Sequence, residues 1–405
     1  MTTDNRFAPW LSWIDSQHEQ MLARTIELSE VNSGTLNAEG VNRVRKLLQT
    51  YSEALGGTME VVPVEPFRKM NEQGELISYP LGDALRISKR PEAPLQVFFC
   101  GHMDTVFAID HSFQSVRWLD EETINGPGVA DLKGGLLVML KAIECLERSP
   151  YAESIGWEIL FNPDEEIGSP SSAALIDEAA KRADIGMIYE PCMPDGNFAG
   201  ERKGSGNFSV VARGVAAHAG REHHLGRNAL RALSEFIVAV DDLNGQREGV
   251  TFNPGVSLCQ GAVNVVPDLA TAHFNIRIQS PDDQGWCLEK LDNIVAGINQ
   301  KDGISLALHG GFTRPPKVMT ESNRALYELA RECGHELGME LTWQATGGCC
   351  DGNNLAAAGV PNIDTLGVQG GAIHSSDEYM KVASLVERAR LSALMLMKMA
   401  VNPPV

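Results

Sequence analysis

The chain has 405 residues, with 34 Lys and Arg against 53 Asp and Glu, and a formal net charge of -19. Such a surface repels a phosphate backbone and an anionic bilayer, so neither nucleic acid nor membrane is an expected partner. A composition of 43% hydrophobic and 21% charged residues excludes a disordered or fibrous chain, and the length exceeds what one core usually holds.

Amphipathic spacing predicts helices over about 8–31 and 38–55, then a short strand at 59–64. Next come a strand at 95–100, a helix at 133–148, a strand at 157–162, a helix at 171–182 and a strand at 185–189. Strands that alternate with helices predict an α/β fold with a mostly parallel sheet flanked by helices. From about Gly204 the texture changes to alternating strands at 208–212 and 273–278, with helices near 227–243 and 283–299. This reads as an inserted α+β lid or dimerisation domain. After Arg314-Pro315-Pro316 the first pattern resumes with a helix at 321–338, a strand at 362–368 and a closing helix at 382–399. The expected organisation is therefore a catalytic domain in two parts, 1–202 and 315–405, interrupted by an inserted domain at 203–314.

No apolar run approaches the ~20 residues that span a bilayer, and the polar start lacks the pattern of a signal peptide, so a cytoplasmic protein is expected. Most of the eight cysteines lie in apolar segments, as reduced core thiols do. The adjacent pair Cys349-Cys350 lacks the spacing of a zinc site.

Open parallel sheets bind ligands beyond the carboxyl ends of their strands. Here those ends carry acids and histidines: Gly101-His102-Met103-Asp104 after the first strand of the alternating series, Asp164-Glu165-Glu166 after the second, Glu190-Pro191 after the third, and His374 in the loop after 362–368. Asp131 sits in the glycine-rich run 126–135, which has neither the dinucleotide nor the P-loop spacing. Any one of these has an ordinary explanation, a hydrogen-bonded histidine or a solvated acid pair. Gathered at one sheet edge, two histidines and several carboxylates repel one another unless cations lie between them.

These motifs, with Gly-Pro-Gly-Val-Ala-Asp-Leu-Lys-Gly-Gly from 126, His-Ala-Gly from 218 and Asn-Val-Val-Pro from 264, resemble the zinc-dependent exopeptidases and deacylases. That family includes glutamate carboxypeptidase, acetylornithine deacetylase, succinyl-diaminopimelate desuccinylase and aminoacylase, and the resemblance spans nearly the whole chain. It implies two divalent metal ions, zinc in the first instance and cobalt or manganese as alternatives. Asp131 would bridge them, His102 and Glu190 would complete one site, and Glu166 and His374 the other. Two such ions lower the pKa of bound water towards ~7 and polarise the scissile carbonyl. Glu165 would act as general base and Asp104 would orient the His102 imidazole. The peptide after the bridging Asp tends to be cis in the family, which here is Asp131-Leu132.

The resemblance further implies that His218 reaches the active site of a partner subunit and stabilises the oxyanion, hence a homodimer through the inserted domain. Arg277 would grip the substrate's α-carboxylate, with Asn264 near the same end. Glu190, where di- and tripeptidases have Asp, and the Gly347-Gly348 loop side with the glutamate carboxypeptidase branch, which places Gly348 at the substrate pocket. The two cysteines after it depart from that branch's pattern. The expected activity is release of a C-terminal amino acid from a small peptide or N-acyl amino acid with a free carboxylate. An N-acyl amino acid deacylase and a noncatalytic binding protein on the same scaffold are the alternatives.

Overall fold

Strands buried on both faces need cover on both, and this requirement organises the larger half of the molecule. The computed structural model describes residues 6–403; residues 1–5 and 404–405, the outer ends of the expected catalytic domain, lie outside the described residues. One sheet takes β1 (Thr58–Val62), β2 (Ala84–Lys89), β3 (Leu95–His102), β4 (Ile155–Asn162) and β5 (Ile185–Ile188). A second takes β6 (Gly204–Arg213), β7 (Thr251–Leu258), β8 (Leu269–Ile278) and β9 (Ser305–Arg314), and β10 (Asn362–Ile363) returns to the first.

The first sheet runs β1-β2-β4-β3-β5-β10; β4, β3, β5 and β10 are parallel, and β1 and β2 form an antiparallel edge. Successive side chains of β3 go to opposite layers, as the strand period requires. Phe99 joins the larger core with Leu136, Leu140 and Leu394 from helices Gly134–Arg148 and Ser384–Val401, while Phe98 packs with Ile176 and Leu355 from Ala173–Ala180 and Asp351–Ala357. Each such full burial contributes roughly 1.5–3 kcal/mol. The second sheet, antiparallel and ordered β7-β8-β6-β9, covers one face with helices Ala229–Asp241 and Pro281–Ile298 around Phe208, Phe236 and Phe274.

Several elements differ from expectation, each for a local reason. The helix expected at 8–31 is two, Ala8–Asp15 and His18–Ser29, because the Ser16 hydroxyl bonds back to the Trp13 carbonyl at 2.6 Å and competes with the helical ladder. Strand β2, between β1 and β4, and two of the four lid strands were not expected. In β7, Pro254 and Gly255 coincide with a register shift, and in β9 Gly310 and Gly311 interrupt the alternation. The strand expected at 362–368 stops at Ile363, since Asp364 turns to ion pairs and Thr365 takes a positive φ of 61°. Among the described residues no helix is long and apolar enough to cross a membrane, and all eight cysteines are free.

Candidate metal centre and active site

His102 ends β3 opposite Asn162 at the end of β4, and the Met103 N–H donates to the Asn162 carbonyl at 2.8 Å. The loops that follow therefore leave the sheet side by side. Asp104 fastens them together: its carboxylate accepts from the Thr35 hydroxyl at 2.7 Å and from the backbone N–H groups of Glu165 and Glu166, both at 3.2 Å. The His102 ring presents Nδ1 to the Asp104 backbone carbonyl at 3.0 Å, closer than the carboxylate at 3.4 Å. A carbonyl only accepts, so Nδ1 carries a proton, and Nε2 is the ring nitrogen turned towards Asp131. Asp104 thus orients the imidazole chiefly through its main chain, and its carboxylate steadies the loop of the expected base.

The Asp131 loop is held by Glu378, whose carboxylate accepts from the backbone N–H groups of Gly128, Ala130 and Asp131 at 3.1, 2.9 and 3.0 Å. The Asp131-Leu132 peptide is cis. In the helix that follows, a Cβ on Gly135 would stand 2.2 Å from the Tyr189 carbonyl. Only glycine permits this approach, which brings the helix against the residue before Glu190.

From these supports the five expected ligands converge. Nε2 of His102 lies 3.1 Å from Asp131 Oδ1 and 4.0 Å from Glu190 Oε1, and Nε2 of His374 lies 3.3 Å from Asp131 Oδ2 and 3.2 Å from Glu166 Oε2. They form two triads, His102/Asp131/Glu190 and Asp131/Glu166/His374, within each of which the ligand atoms lie within 4.8 Å of one another. Asp131 is shared through its two different oxygens.

The electrostatics follow from burying acids together. Burial, reinforced by the Asp131 charge, pushes Glu166 up to about 8 and Glu190 well above the carboxylate range. Burial also raises Glu165, to about 7, against the pull of Arg314. Burial opposes ionisation of Asp131 too, yet hydrogen bonds from both imidazoles hold it below its ordinary value. Hydrogen bonds to Asp131 and Glu166 carry His374 up to about 11. The cluster draws positive charge into each triad. One imidazole and two carboxylates per triad are a donor set that suits zinc, so these residues fit a pair of divalent ions.

Glu165 stands outside both triads, with Oε1 taking a hydrogen bond from Arg314 Nη2 at 2.8 Å. It opens with Asp131, Glu166, Glu190 and His374 onto a cleft of about 350 Å³, whose far wall includes Arg202, Gly348 and Cys349. Arg277 reaches this wall from β8 and donates through Nη1 to Cys349 Sγ at 2.8 Å. His218 and Asn264 are not brought to the cluster within one chain. His218 lies on the short strand Ala217–His218 paired with Val265–Val266, its Nδ1 accepts from the Gly220 N–H, and both it and Asn264 are exposed.

Three contributors escaped the sequence reading. Arg314 was read only as a boundary before Pro315-Pro316. Glu378, four residues after His374, carried a usable signal as an acid in the same loop. Arg202 carried none. Its side chain is 8% exposed, Nε and Nη2 each bond Asp364 at 2.9 Å, and Nη1 would lie 3.5 Å from a Cβ on Gly348.

The sequence pattern of peptidase family M20/M25/M40 matches residues 98–398. Carboxypeptidase G2 of Pseudomonas sp. is 26% identical over 396 residues, covering 94% of this chain and 90% of that one. The succinyl-diaminopimelate desuccinylase of Stutzerimonas stutzeri is 26% identical over 307 residues, covering 71% and 78%. The crystal structure of an M20 family metallo-carboxypeptidase from Sulfolobus solfataricus superposes with a TM-score of 0.73 at 17% identity, covering 94% of this chain and 99% of that one.

Proposed function

The chain belongs to peptidase family M20/M25/M40 and is a metal-dependent hydrolase of amide bonds; from that premise we propose that it is a two-metal carboxypeptidase of the glutamate type. It releases a C-terminal amino acid from a small peptide or an N-acyl amino acid. The observation that carries this reading is the pair of ligand triads sharing Asp131, with Glu165 beside them and outside both.

His102, Asp131 and Glu190 would hold one divalent ion and Asp131, Glu166 and His374 the other, with zinc the ion favoured by the donors. When bound, the ions supply an acidified water and a polarised scissile carbonyl. Glu165 takes the proton of the attacking water and returns it to the leaving nitrogen. Asp104 keeps the Glu165 loop against His102. Arg277, a planar fork beside Cys349 on the cleft wall, receives the substrate's free carboxylate. His218 and Asn264, exposed together on the inserted domain, serve the site of a partner subunit in a homodimer, and the expected compartment is the cytoplasm.

A deacylase reading is favoured by one observation. Arg202 gives the cleft a second guanidinium, which an acyl group with its own acceptor could use.

Metal analysis with a panel of peptidyl and N-acyl amino acids, assayed with zinc, cobalt and manganese, separates these readings. Two ions per chain and preferred release from peptidyl substrates support the carboxypeptidase. Preferred turnover of simple N-acyl substrates replaces it with the deacylase, and zero turnover across the panel sinks both. The dimer has its own test, because mixing inactive Glu165→Gln and His218→Ala subunits creates hybrid dimers with one intact site each. Recovery of activity on mixing supports the shared site, and none removes it.

A further inference from the structure

We infer that Arg314 is a positioning residue for the reaction, tying the strand that returns from the inserted domain to the general base. The inference rests on Glu165 being that base. Arg314 is the last residue of β9 and pairs with Ser205 of β6, so its backbone belongs to the inserted sheet at the point where the chain re-enters the catalytic domain. Its side chain, only 3% exposed, goes the other way.

The two ends of the guanidinium serve different groups. Nη1 donates to Asp351 Oδ1 at 2.5 Å and Asn354 Oδ1 at 2.7 Å, both on helix Asp351–Ala357. Nη2 donates to Glu165 Oε1 and Ser169 Oγ, both at 2.8 Å. Asp351 in turn accepts from Ser169 Oγ at 2.6 Å and from Asn162 Nδ2 at 2.8 Å, and Asn162 is the last residue of the strand that launches the Glu165 loop.

The network therefore fixes one oxygen of the base from three elements at once. Among the described residues no hydrogen bond is made to Oε2 of Glu165, the oxygen left to take a proton from a water in the cleft. A glutamate carboxylate, carried on two methylenes and three rotatable bonds, has rotamers to choose from; a planar donor fork removes the choice. Since misplacing a reacting group by 1 Å can cost about 10²-fold in rate, a fixed Oε1 affects turnover more than binding. Because the fork is anchored at the re-entry point, displacement of the inserted domain would reach the base through Arg314 before it reached any metal ligand.

Arg314→Lys is the informative variant, since it keeps a cation beside Asp351 and one amine cannot span both ends of the fork. The expected result is a fall in kcat of about 10–10²-fold, with KM changed less than about twofold and both metals bound. Glu165→Asp, which shortens the base away from the fork, should make the Arg314→Lys loss largely disappear, whereas Arg277→Ala should leave it intact. A wild-type kcat in Arg314→Lys, loss of metal, or a loss of equal size in the Glu165→Asp background would overturn the inference. The failures are separable: an active Glu165→Gln enzyme removes the base assignment, and an inactive one alongside a fully active Arg314→Lys removes only the role of Arg314.

Discussion

Asp364 and the Asp131, Glu166 and Glu190 group are all buried carboxylates at the same end of the same sheet, and burial alone would push every one of them towards the neutral form. Their neighbours differ. Asp364 faces Arg202 through two bonds of 2.9 Å and Lys317 through one of 2.8 Å, and although burial opposes it, these fixed cations hold it at about 2. The candidate ligand carboxylates meet no Lys or Arg at salt-bridge distance among the described residues, only imidazoles, and Glu166 and Glu190 rise out of the carboxylate range. Where the fold needs a permanent charge pair it supplies the cation covalently. Where it leaves acids paired only with histidine, the compensating charge is one that can be exchanged, which is the property of a metal site.

Glu165 lies between these two cases, held by Arg314 yet raised to about 7, and it provides the largest expected effect. Glu165→Gln should lower kcat by roughly 10³-fold or more, a typical value for a lost general base, while metal analysis still finds two ions per chain. If metal is lost with activity, Glu165 belongs with the ligands and the division drawn above fails at its centre.

Next in size is Asp364→Asn. It leaves Arg202 and Lys317 buried without their counter-ion, at a cost of about 3–5 kcal/mol, read as a lowered unfolding midpoint with the metal stoichiometry unchanged. A variant as stable as the parent would mean that fixed cations are not what distinguishes this carboxylate. Arg277→Ala should be milder. Losing a charged hydrogen bond worth about 1.5–3 kcal/mol raises KM for carboxylate-bearing substrates by roughly 10–10²-fold, with kcat little changed. An unchanged KM would return Arg277 to a structural role beside Cys349.

The same division explains what could be read from the amino-acid sequence. A strand followed by His or Glu is a local signal, and it placed His102, Glu165, Glu166, Glu190 and His374 at one sheet edge before any coordinates; Asp131, in its glycine-rich run, and the choice of Glu166 over Glu165 as expected ligand came from the family resemblance. The fixed cations have no local signal. Arg202 finds Asp364 across 162 residues and Arg314 finds Glu165 across 149, partnerships created by the re-entry of the chain from the inserted domain. The α/β architecture was legible from its alternation. Lid strands β7 and β9 were not, because Pro254-Gly255 and Gly310-Gly311 break the period-two pattern on which that reading depends. His218 and Asn264 were legible as a motif, but a single chain leaves them exposed and away from the ligands.

The smallest expected effect is a pH dependence, and it has opposite signs for Asp364 and for Glu166. Asp364 has a folded value of about 2 against an ordinary 3.8, so its contribution, about 2.5 kcal/mol at most, is complete above the ordinary value and is lost as pH falls towards 2. Glu166 goes the other way. Its folded value of about 8 against 4.5 means that between these pH values the unfolded chain has released a proton that the metal-free fold retains, so metal-free stability falls as pH rises through that window. Glu165 and Glu190, both raised, act in the same direction. Divalent ions supply the compensating charge and should flatten the neutral limb while leaving the acid limb of Asp364 unaltered. Denaturant titrations of metal-free and metal-loaded protein from pH 2 upwards separate the two contributions. An acid limb undiminished in Asp364→Asn, or a neutral limb indifferent to metal, would show that the two kinds of buried carboxylate are held by the same means after all.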